Sequence, residues 1–444
     1  LNVKNAGQNS NCLSGTVKKG QSVPSVIQPV LGGLYQVLLS VQRILPEIQP
    51  PLLAAGDAQA LTVQAAQGKM IDKKRLIKLM RDLIRIDSQN PPGDESKIAL
   101  FVKRYLKKTG IDAKIYEYAK KRSNVVAVFG NKSLGKSLLI TPHLDTVPAG
   151  KSWGFDPFKA KILKNRIYGL GATDCKGNLA CSLEAMQSLI EDKVKLDYEL
   201  VFAATANEES GSDLGLISLL DKGVLKPSAA VVLDADEFEI VVTQKGLMHL
   251  KVKIKGKKAH GAYPWLGVNA IDKAIEALSD LKKYRFRYKK NKFLKPPTMN
   301  IGTIRGGDKV NVVSDWCEFE LDFRFLPGMS CVKLLKDIKR IIRKTSPGFD
   351  IEIEGIQKPY VIDKSHLLVS SLVAAMRKLR IKPSIKGSEG ATVITFFQDK
   401  NIPAIATGFG CEGVAHMADE YASVEYLYKG AVLLNEFLRN YKFH

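Results

Sequence analysis

Among 444 residues there are only six cysteines and six histidines, and aspartate and glutamate (45) are well outnumbered by lysine and arginine (67). The cysteines (Cys12, Cys175, Cys181, Cys317, Cys331 and Cys411) show no paired spacing and no C-x-x-C, so no disulfide framework is expected. They read as reduced thiols, and the expected location is cytoplasmic. No apolar run approaches the eighteen or so residues that span a bilayer, which argues against an integral membrane role. The shortage of acid leaves a formal net charge of +22. Such a charge suits anionic substrates, anionic lipid or nucleic acid. RNP, zinc-finger and K/R-block signatures are missing, however, so neither nucleic acid nor membrane is expected as a partner. The densest basic run, Lys282 to Lys295, interleaves Tyr284, Phe286, Tyr288 and Phe293. It fits a nucleic-acid surface or a solvated helix end and loop. No internal repeat or low-complexity tract is evident, and the length allows two or three domains with real cores.

Residues 1–69 differ from the rest. They begin with leucine, are rich in Gln, Ser, Gly and Ala, and do not follow the order of a signal peptide. A disordered or non-native extension is expected there, with the functional chain beginning near Met70. Beyond it, apolar residues at helical spacing (Leu76, Leu79, Met80, Leu83, Ile84) predict a first helix, broken by Ser88-Gln89-Asn90-Pro91-Pro92-Gly93. A helix over 95–109, strands at 113–118, 124–129 and 138–141, helix 179–191, strand 198–204, helix 214–222 and strand 229–233 follow. Strands alternating with helices predict an α/β fold, a mixed sheet flanked by helices.

Near residue 247 the rhythm changes. Strand 248–255, helix 268–284, strands 298–304 and 316–325, helix 331–344 and strand 349–354 read as βαββαβ, the ferredoxin-like order. The α/β pattern resumes after Pro359 with helices at 365–379 and 391–398, a strand at 404–407 and a last helix from Val424. The expected organisation is therefore a catalytic domain in two parts, 70–246 and 358–444, interrupted by an inserted domain at 247–357.

Chemistry-bearing residues gather at strand ends. The apolar run Leu138-Leu139-Ile140-Thr141 stops at Pro142 and delivers His143 and Asp145, which alternation turns to the same side. A carboxylate beside a histidine can accept its second ring N–H and fix the tautomer of a metal ligand. An H-x-D pair is also an ordinary polar strand end. Asp174 lies between glycines before a helix, and strand 198–204 runs into Asn207-Glu208-Glu209-Ser210-Gly211. Strand 229–233 ends in Asp234, and His416 follows the strand at 404–407. The glutamate pair alone could be an exposed helix cap. Ligands collect at the carboxyl ends of strands in such sheets, so these groups can converge. Imidazole and carboxylate without thiolate is a hydrolytic ligand set. Two histidines and three carboxylates exceed the needs of one catalytic ion and fit two divalent ions about 3.5–4 Å apart.

Taken together, His143-Leu144-Asp145-Thr146-Val147-Pro148, Asp174-x-Lys176-Gly177, Asn207-Glu208-Glu209-Ser210-Gly211 and Ala415-His416 resemble the acetylornithine deacetylase, succinyl-diaminopimelate desuccinylase and carboxypeptidase G group of di-zinc amidohydrolases. The resemblance runs from about Met70 to the C-terminus. It implies that Asp174 bridges two metal ions, zinc first with cobalt or manganese as alternatives. By it, His143 and Asp234 complete one site, Glu209 and His416 the other, Asp145 orients His143, and Glu208 is the general base. It also implies that His260, in Ala259-His260-Gly261-Ala262-Tyr263-Pro264 of the inserted lid, stabilises the oxyanion. Asn311 and Arg324 match substrate-carboxylate positions, a strand-face charge being the alternative for Arg324, and Gly390 falls at a substrate-side turn. A homodimer through the inserted domain is implied as well.

The chain departs from the pattern in three places. Asp234-Ala235 replaces Glu-Pro, leaving Asp236 as an alternative ligand. Cys175 stands for an acidic residue or methionine, and Ser388-Glu389-Gly390 for a Thr/Ser-Asp turn. His249, His366 and His444 match no motif. The implied activity is metal-dependent cleavage of an N-acyl amino acid. A di-zinc exopeptidase acting on short peptides is the first alternative, and a catalytically silent binding protein the remote one.

Overall fold

The computed structural model describes residues 71–130 and 135–443, so the segment 1–69 lies outside the described residues. The first described helix shows how local sequence sets the elements. Asp72 accepts hydrogen bonds from the backbone N–H groups of Lys74 and Arg75 at 2.9 and 3.0 Å, which caps Lys73–Ile84. The helix then buries Leu76, Leu79, Met80, Leu83 and Ile84 along one stripe.

Among the described residues, the larger sheet has nine strands. Its order is Ala113–Glu117, Ser123–Gly130, Glu199–Ala204, Ser137–Thr141, Ala229–Leu233, Ala404–Thr407, Glu239–Gln244 and Tyr360–Val361, with Ser384–Ser388 also paired to Glu239–Gln244. The four strands from Glu199–Ala204 to Ala404–Thr407 are mutually parallel, and their residues are almost entirely buried. That is why they read as unbroken apolar runs rather than alternating ones. Their carboxyl ends lie side by side, and the loops that carry His143 and Asp145, Glu208 and Glu209, Asp234, and His416 leave from that edge, whereas Asp174 follows the short strand Arg166–Tyr168 of a separate three-stranded sheet. Helices Lys73–Ile84, Gly177–Glu191, Leu367–Lys378 and Val424–Asn440 pack with one another over this core. The expected mixed α/β sheet flanked by helices is the observed class.

A second sheet of four antiparallel strands follows the order Thr298–Gly306, Trp316–Phe325, Gly246–Lys255, Phe349–Gln357. With helices Ala270–Lys283 and Cys331–Thr345 it encloses its own apolar cluster, built on Met248, Leu250, Val252 and Ile254. The other face alternates charge, as in Lys251 to Glu318 at 3.1 Å and Lys255 to Asp350 at 2.7 Å. The chain leaves the large sheet after Gln244 and rejoins it at Tyr360, which pairs with Gln244, so exit and return are adjacent. Between them Lys245 is buried, its ammonium 2.6 Å from Glu389 and donating to Pro296 O at 2.6 Å. In the basic run, Tyr284 stacks edge-on to Phe286, and Phe286 edge-on to Phe323, each at 4.7 Å. These aromatics anchor the segment inward, while Lys282, Lys283, Arg285, Arg287, Lys289 and Lys290 stay exposed.

Two expected helices are shorter than their sequence pattern. The 214–222 segment is α-helical only over Ser218–Asp221, because Gly215 (φ −118°, ψ −116°) presses against the carbonyl of Ala206 and breaks the path. The 391–398 segment is helical over Ile394–Gln398. Gly408, just past the strand Ala404–Thr407, is a tighter contact, since a Cβ there would sit 1.8 Å from Ala235 O. Gly408→Ala should cost about 1–3 kcal/mol through overpacking. It would be read as a lower urea midpoint at unchanged slope. An unchanged midpoint would mean that the loops leaving these two strands can separate freely.

Candidate metal centre

Beyond Pro142 the strand persists as single bridging contacts. Leu144 N–H donates to Thr205 O at 2.8 Å, and Thr205 N–H to Pro142 O at 3.1 Å. This holds His143 and Asp145 in extended geometry, both fully buried. The expected contact between the Asp145 carboxylate and the imidazole is 3.7 Å long. Instead, the main-chain oxygen of Asp145 lies 2.9 Å from His143 Nδ1. The reason is competition. The carboxylate already accepts from the backbone N–H of Glu208 (3.0 Å) and Glu209 (3.1 Å) and from Asn90 Nδ2 (2.8 Å). Asp145 thus sets the imidazole through its carbonyl and the glutamate turn through its side chain.

Asp174 sits in a wide turn, Ala172–Lys176, that feeds the helix Gly177–Glu191. Glu420, also fully buried, shapes that turn by accepting from the N–H groups of Gly171, Thr173 and Asp174 at 2.8, 2.7 and 3.0 Å. Asp174 Oδ1 is 2.8 Å from His143 Nε2, and Oδ2 is 3.2 Å from His416 Nε2. Both Glu209 oxygens lie 3.2 Å from His416 Nε2, and Asp234 Oδ1 is 3.9 Å from His143 Nε2. Among the described residues two donor triads emerge, His143–Asp174–Cys175 and Asp174–Glu209–His416, and Asp174 is common to both.

The donor set fits cations. With Nδ1–H given to the Asp145 carbonyl, a neutral His143 turns an Nε2 lone pair toward a carboxylate oxygen 2.8 Å away. Only a proton or a metal ion reconciles the two acceptors. Nor does any lysine or arginine form an ion pair with Asp174, Glu208, Glu209 or Asp234 among the described residues. The crowding shows in the titration of the chain alone. Burial first, then the Asp174 charge, pushes Asp234 up to about 7. Burial, then Asp234, drives Glu208 well above the usual carboxylate range. For Asp174, burial is outweighed by the two imidazoles and the carboxyl is held low. His416 rises to about 10 through its bonds to Asp174 and Glu209. Burial opposes a charged His143, but Cys175, Asp145 and Asp174 carry it well above its ordinary value.

These shifts give a signed prediction. An acid whose folded pKa is raised, such as Asp234, binds more protons folded than unfolded between its ordinary value and about 7, so stability falls as pH rises through that window. A histidine with a raised folded pKa contributes stability that is present below about 6.5 and lost as pH rises toward 10. Both act in one direction. The low Asp174 opposes them only in acid, at and below its ordinary range. Chelator-stripped protein should therefore lose melting temperature from pH 5.5 to 8.5, and added zinc should restore it most at the alkaline end. A metal effect equal across that range would contradict the crowding.

Cys175 is the donor that sequence reading set apart. Its Sγ accepts from His143 N–H at 3.1 Å and lies 3.4 Å from His143 O. Burial pushes the thiol up to about 12, which suits a protonated group bracing the His143 backbone. Asp236 is raised to about 7, by burial and then by Asp174, and falls in neither triad.

Four expected residues make their contacts elsewhere. His260 Nδ1 accepts from Ala262 N–H at 3.0 Å, and Gly261 N–H donates to the carbonyl of Asn311 at 2.8 Å, so His260 and Asn311 neighbour each other beside the paired two-residue strands Ala259–His260 and Val312–Val313. Arg324 is engaged by Asp322, Nε to Oδ1 at 2.8 Å and Nη2 to Oδ2 at 3.0 Å, as a strand-face charge would be. The carbonyl of Gly390 accepts from Ser388 Oγ at 3.2 Å at an exposed turn. His249 lies 3.8 Å from Asp322, His366 caps the helix Leu367–Lys378, and His444 is outside the described residues. Sequence reasoning missed Glu420. Its signal was position, an acid four residues after His416 and beside the strand Tyr421–Ser423.

A family model described as peptidase family M20/M25/M40 matches residues 139–440. An acetylornithine deacetylase of Pectobacterium carotovorum is 31% identical over 333 residues, 72% of this chain and 84% of the relative. A succinyl-diaminopimelate desuccinylase of Orientia tsutsugamushi is 26% identical, covering 80% of this chain and 93% of the relative. Among solved structures, a tripeptidase from Staphylococcus aureus is 26% identical with a TM-score of 0.71, covering 84% of this chain and 99% of that one.

Proposed function

Because the chain belongs to peptidase family M20/M25/M40, we propose that it is a metal-dependent amidohydrolase that cleaves N-acyl amino acids. The observation that carries this reading is Asp174, whose two oxygens face His143 and His416 beside a buried Glu208. His143, Asp174 and Asp234 would hold one divalent ion, and Asp174, Glu209 and His416 the other, with zinc the first candidate and cobalt or manganese the alternatives. Bound there, a pair of divalent cations polarises an amide carbonyl, lowers the pKa of water and offsets the repulsion among the carboxylates.

The rest falls to the chain. Glu208 takes the proton of the attacking water and passes it to the departing nitrogen. Asp145 keeps Glu208 and Glu209 in place through their N–H groups. His260 donates to the developing oxyanion, and Asn311 and Arg324 take the substrate carboxylate, with Gly390 at the acyl side. For that, Arg324 has to turn its fork from Asp322 to the substrate. On this reading the chain comprises a catalytic domain, 70–246 with 358–444, and a lid at 247–357 that also serves a homodimer. Cytoplasmic residence belongs to the same reading, and no described helix is long and apolar enough to cross a membrane.

A second reading, a di-zinc exopeptidase for short peptides, is favoured by the likeness to the Staphylococcus aureus tripeptidase. A panel of N-acetyl, N-succinyl and N-formyl amino acids beside di- and tripeptides separates the two. Cleavage of acyl amino acids supports the first reading and names the acyl group, whereas turnover of peptides alone moves the enzyme to the second. No turnover at all would revive the silent scaffold.

A further inference from the structure

Apart from the bond from Asn90 to Asp145, the Asn90-Pro91-Pro92-Gly93 break has no part in the chemistry above, nor do the buried charges of Glu95 and Arg122. All of them converge behind the glutamate turn. Arg122 donates from Nε to Glu95 Oε2 at 2.8 Å and from Nη2 to Glu95 Oε1 at 2.7 Å. The same Nη2 also reaches Asn207 Oδ1 at 2.8 Å. Glu95 Oε1 accepts from Asn207 N–H at 3.2 Å as well, so one ion pair grips both the main chain and the side chain of Asn207. Asn90 Nδ2 bridges Asn207 Oδ1 (3.3 Å) and Asp145 Oδ2 (2.8 Å). Glu95 is completely buried and the Arg122 side chain is 11% exposed.

We propose that Arg122, clamped by Glu95, is a positioning residue for the general base. It fixes the left-handed Asn207 from which Glu208 departs, and so aims the Glu208 carboxylate without holding metal. This rests on Glu208 being that base. Asn207 has φ 65°, a left-handed conformation that asparagine adopts more readily than other non-glycine residues, and here its side chain and N–H are both held in it. Beyond Arg122, Glu95 and Asn90, its side chain also donates to Asp213. The 90–93 turn is shaped to the guanidinium. At Gly93 (φ +82°) a Cβ would sit 2.4 Å from Arg122 Cζ, so the flat group lies against bare backbone. A lysine keeps the charge but cannot serve Glu95 and Asn207 with one planar fork. Positional error of about 1 Å at a reacting group can cost a hundredfold in rate. The side chain therefore sets rate rather than affinity.

The test uses full-length, metal-loaded protein. Arg122→Lys should lower kcat about a hundredfold, with KM within threefold and metal content unchanged. Added to Glu208→Gln, it should cost nothing further, because both changes remove one function. Hydrogen exchange in a peptide spanning 205–212 should quicken while other segments stay protected. Arg122→Ala should recover activity with methylguanidinium. If that variant does not fold, Arg122→Lys decides alone. Wild-type kcat in Arg122→Lys, loss of metal, or the same hundredfold cost within the Glu208→Gln background would overturn the proposal. If wild-type protein hydrolyses nothing, the general-base reading fails by itself. Unchanged exchange over 205–212 would then separately sink the clamp.

Discussion

Glu208→Gln lowers kcat by about 10²–10⁴-fold, the span that a general base supplies, while the protein keeps its full metal complement. The substitution is close to isosteric. The backbone N–H at 208 still donates to Asp145 Oδ1, so the turn that also carries Glu209 survives. What changes is proton affinity. In the chain alone, burial first and then the charges of Asp234, Asp174 and Glu209 raise the Glu208 carboxyl well above the usual carboxylate range, and with the cations bound it is still a carboxylate that can accept a proton. An amide has no such capacity, and KM should hardly move. Retained turnover would shift the role to another carboxyl. Asp234, whose carboxylate lies 3.9 Å from His143, is the one left there.

Asp174→Asn should have the larger effect on metal. Asp174 is the one residue shared by the two donor triads among the described residues, with oxygens 2.8 Å from His143 and 3.2 Å from His416. Asparagine offers one oxygen and an NH₂ group that donates where a ligand must accept. Loss of a group behind the ligands commonly costs 10–100-fold in metal affinity, so loss of a shared ligand should exceed about a hundredfold. Metal content should fall below one ion per chain, and turnover should fall to background. The metal-free variant should also melt lower than metal-free wild type at pH 8, because the charged Asp174 that the two imidazoles hold low contributes stability there and is gone. Two tightly held ions in Asp174→Asn would remove Asp174 from the bridging position.

Much of this was legible because the decisive signals are local. The run Leu138-Leu139-Ile140 is apolar because its strand is buried between two parallel neighbours, and the proline after Thr141 marks where the loop carrying His143 and Asp145 starts. The same holds for Glu199–Ala204 and Ala229–Leu233. Their polar terminations at Glu208-Glu209 and Asp234 are conspicuous against such runs. The strand Ser384–Ser388 was not legible. Its lysine, glycine and serines carry no alternation, and it forms only because Glu239–Gln244 presents a free edge for parallel pairing. The small sheet of Lys161–Leu163, Arg166–Tyr168 and Tyr421–Ser423 was hidden for a similar reason, its strands being three residues each.

Within the centre, the residue types were readable and their supports were not. Asp145 was expected to hold His143 with its carboxylate, yet that group is drawn to N–H donors from residues 208 and 209 and to Asn90. Arg122 lies 85 positions from Asn207, and Glu420 lies 246 from Asp174. No spacing rule joins such pairs, because they meet only through tertiary pairing, Glu420 reaching Asp174 beside the antiparallel pair Arg166–Tyr168 and Tyr421–Ser423, and Arg122 reaching Asn207 from the turn before Ser123–Gly130. Arg324 shows the opposite case. A residue matched by motif can be engaged by the neighbour two positions away on the same strand face, which a sequence pattern does not reveal.

The most direct measurement is a metal titration of the chelator-stripped protein, following hydrolysis of an N-acyl amino acid that the untreated protein cleaves. Zinc content per chain would be determined at each step. The rate should be negligible without metal, rise until it levels off near two ions per chain, and not rise in Asp174→Asn. Undiminished hydrolysis by protein shown to hold no metal would contradict metal dependence.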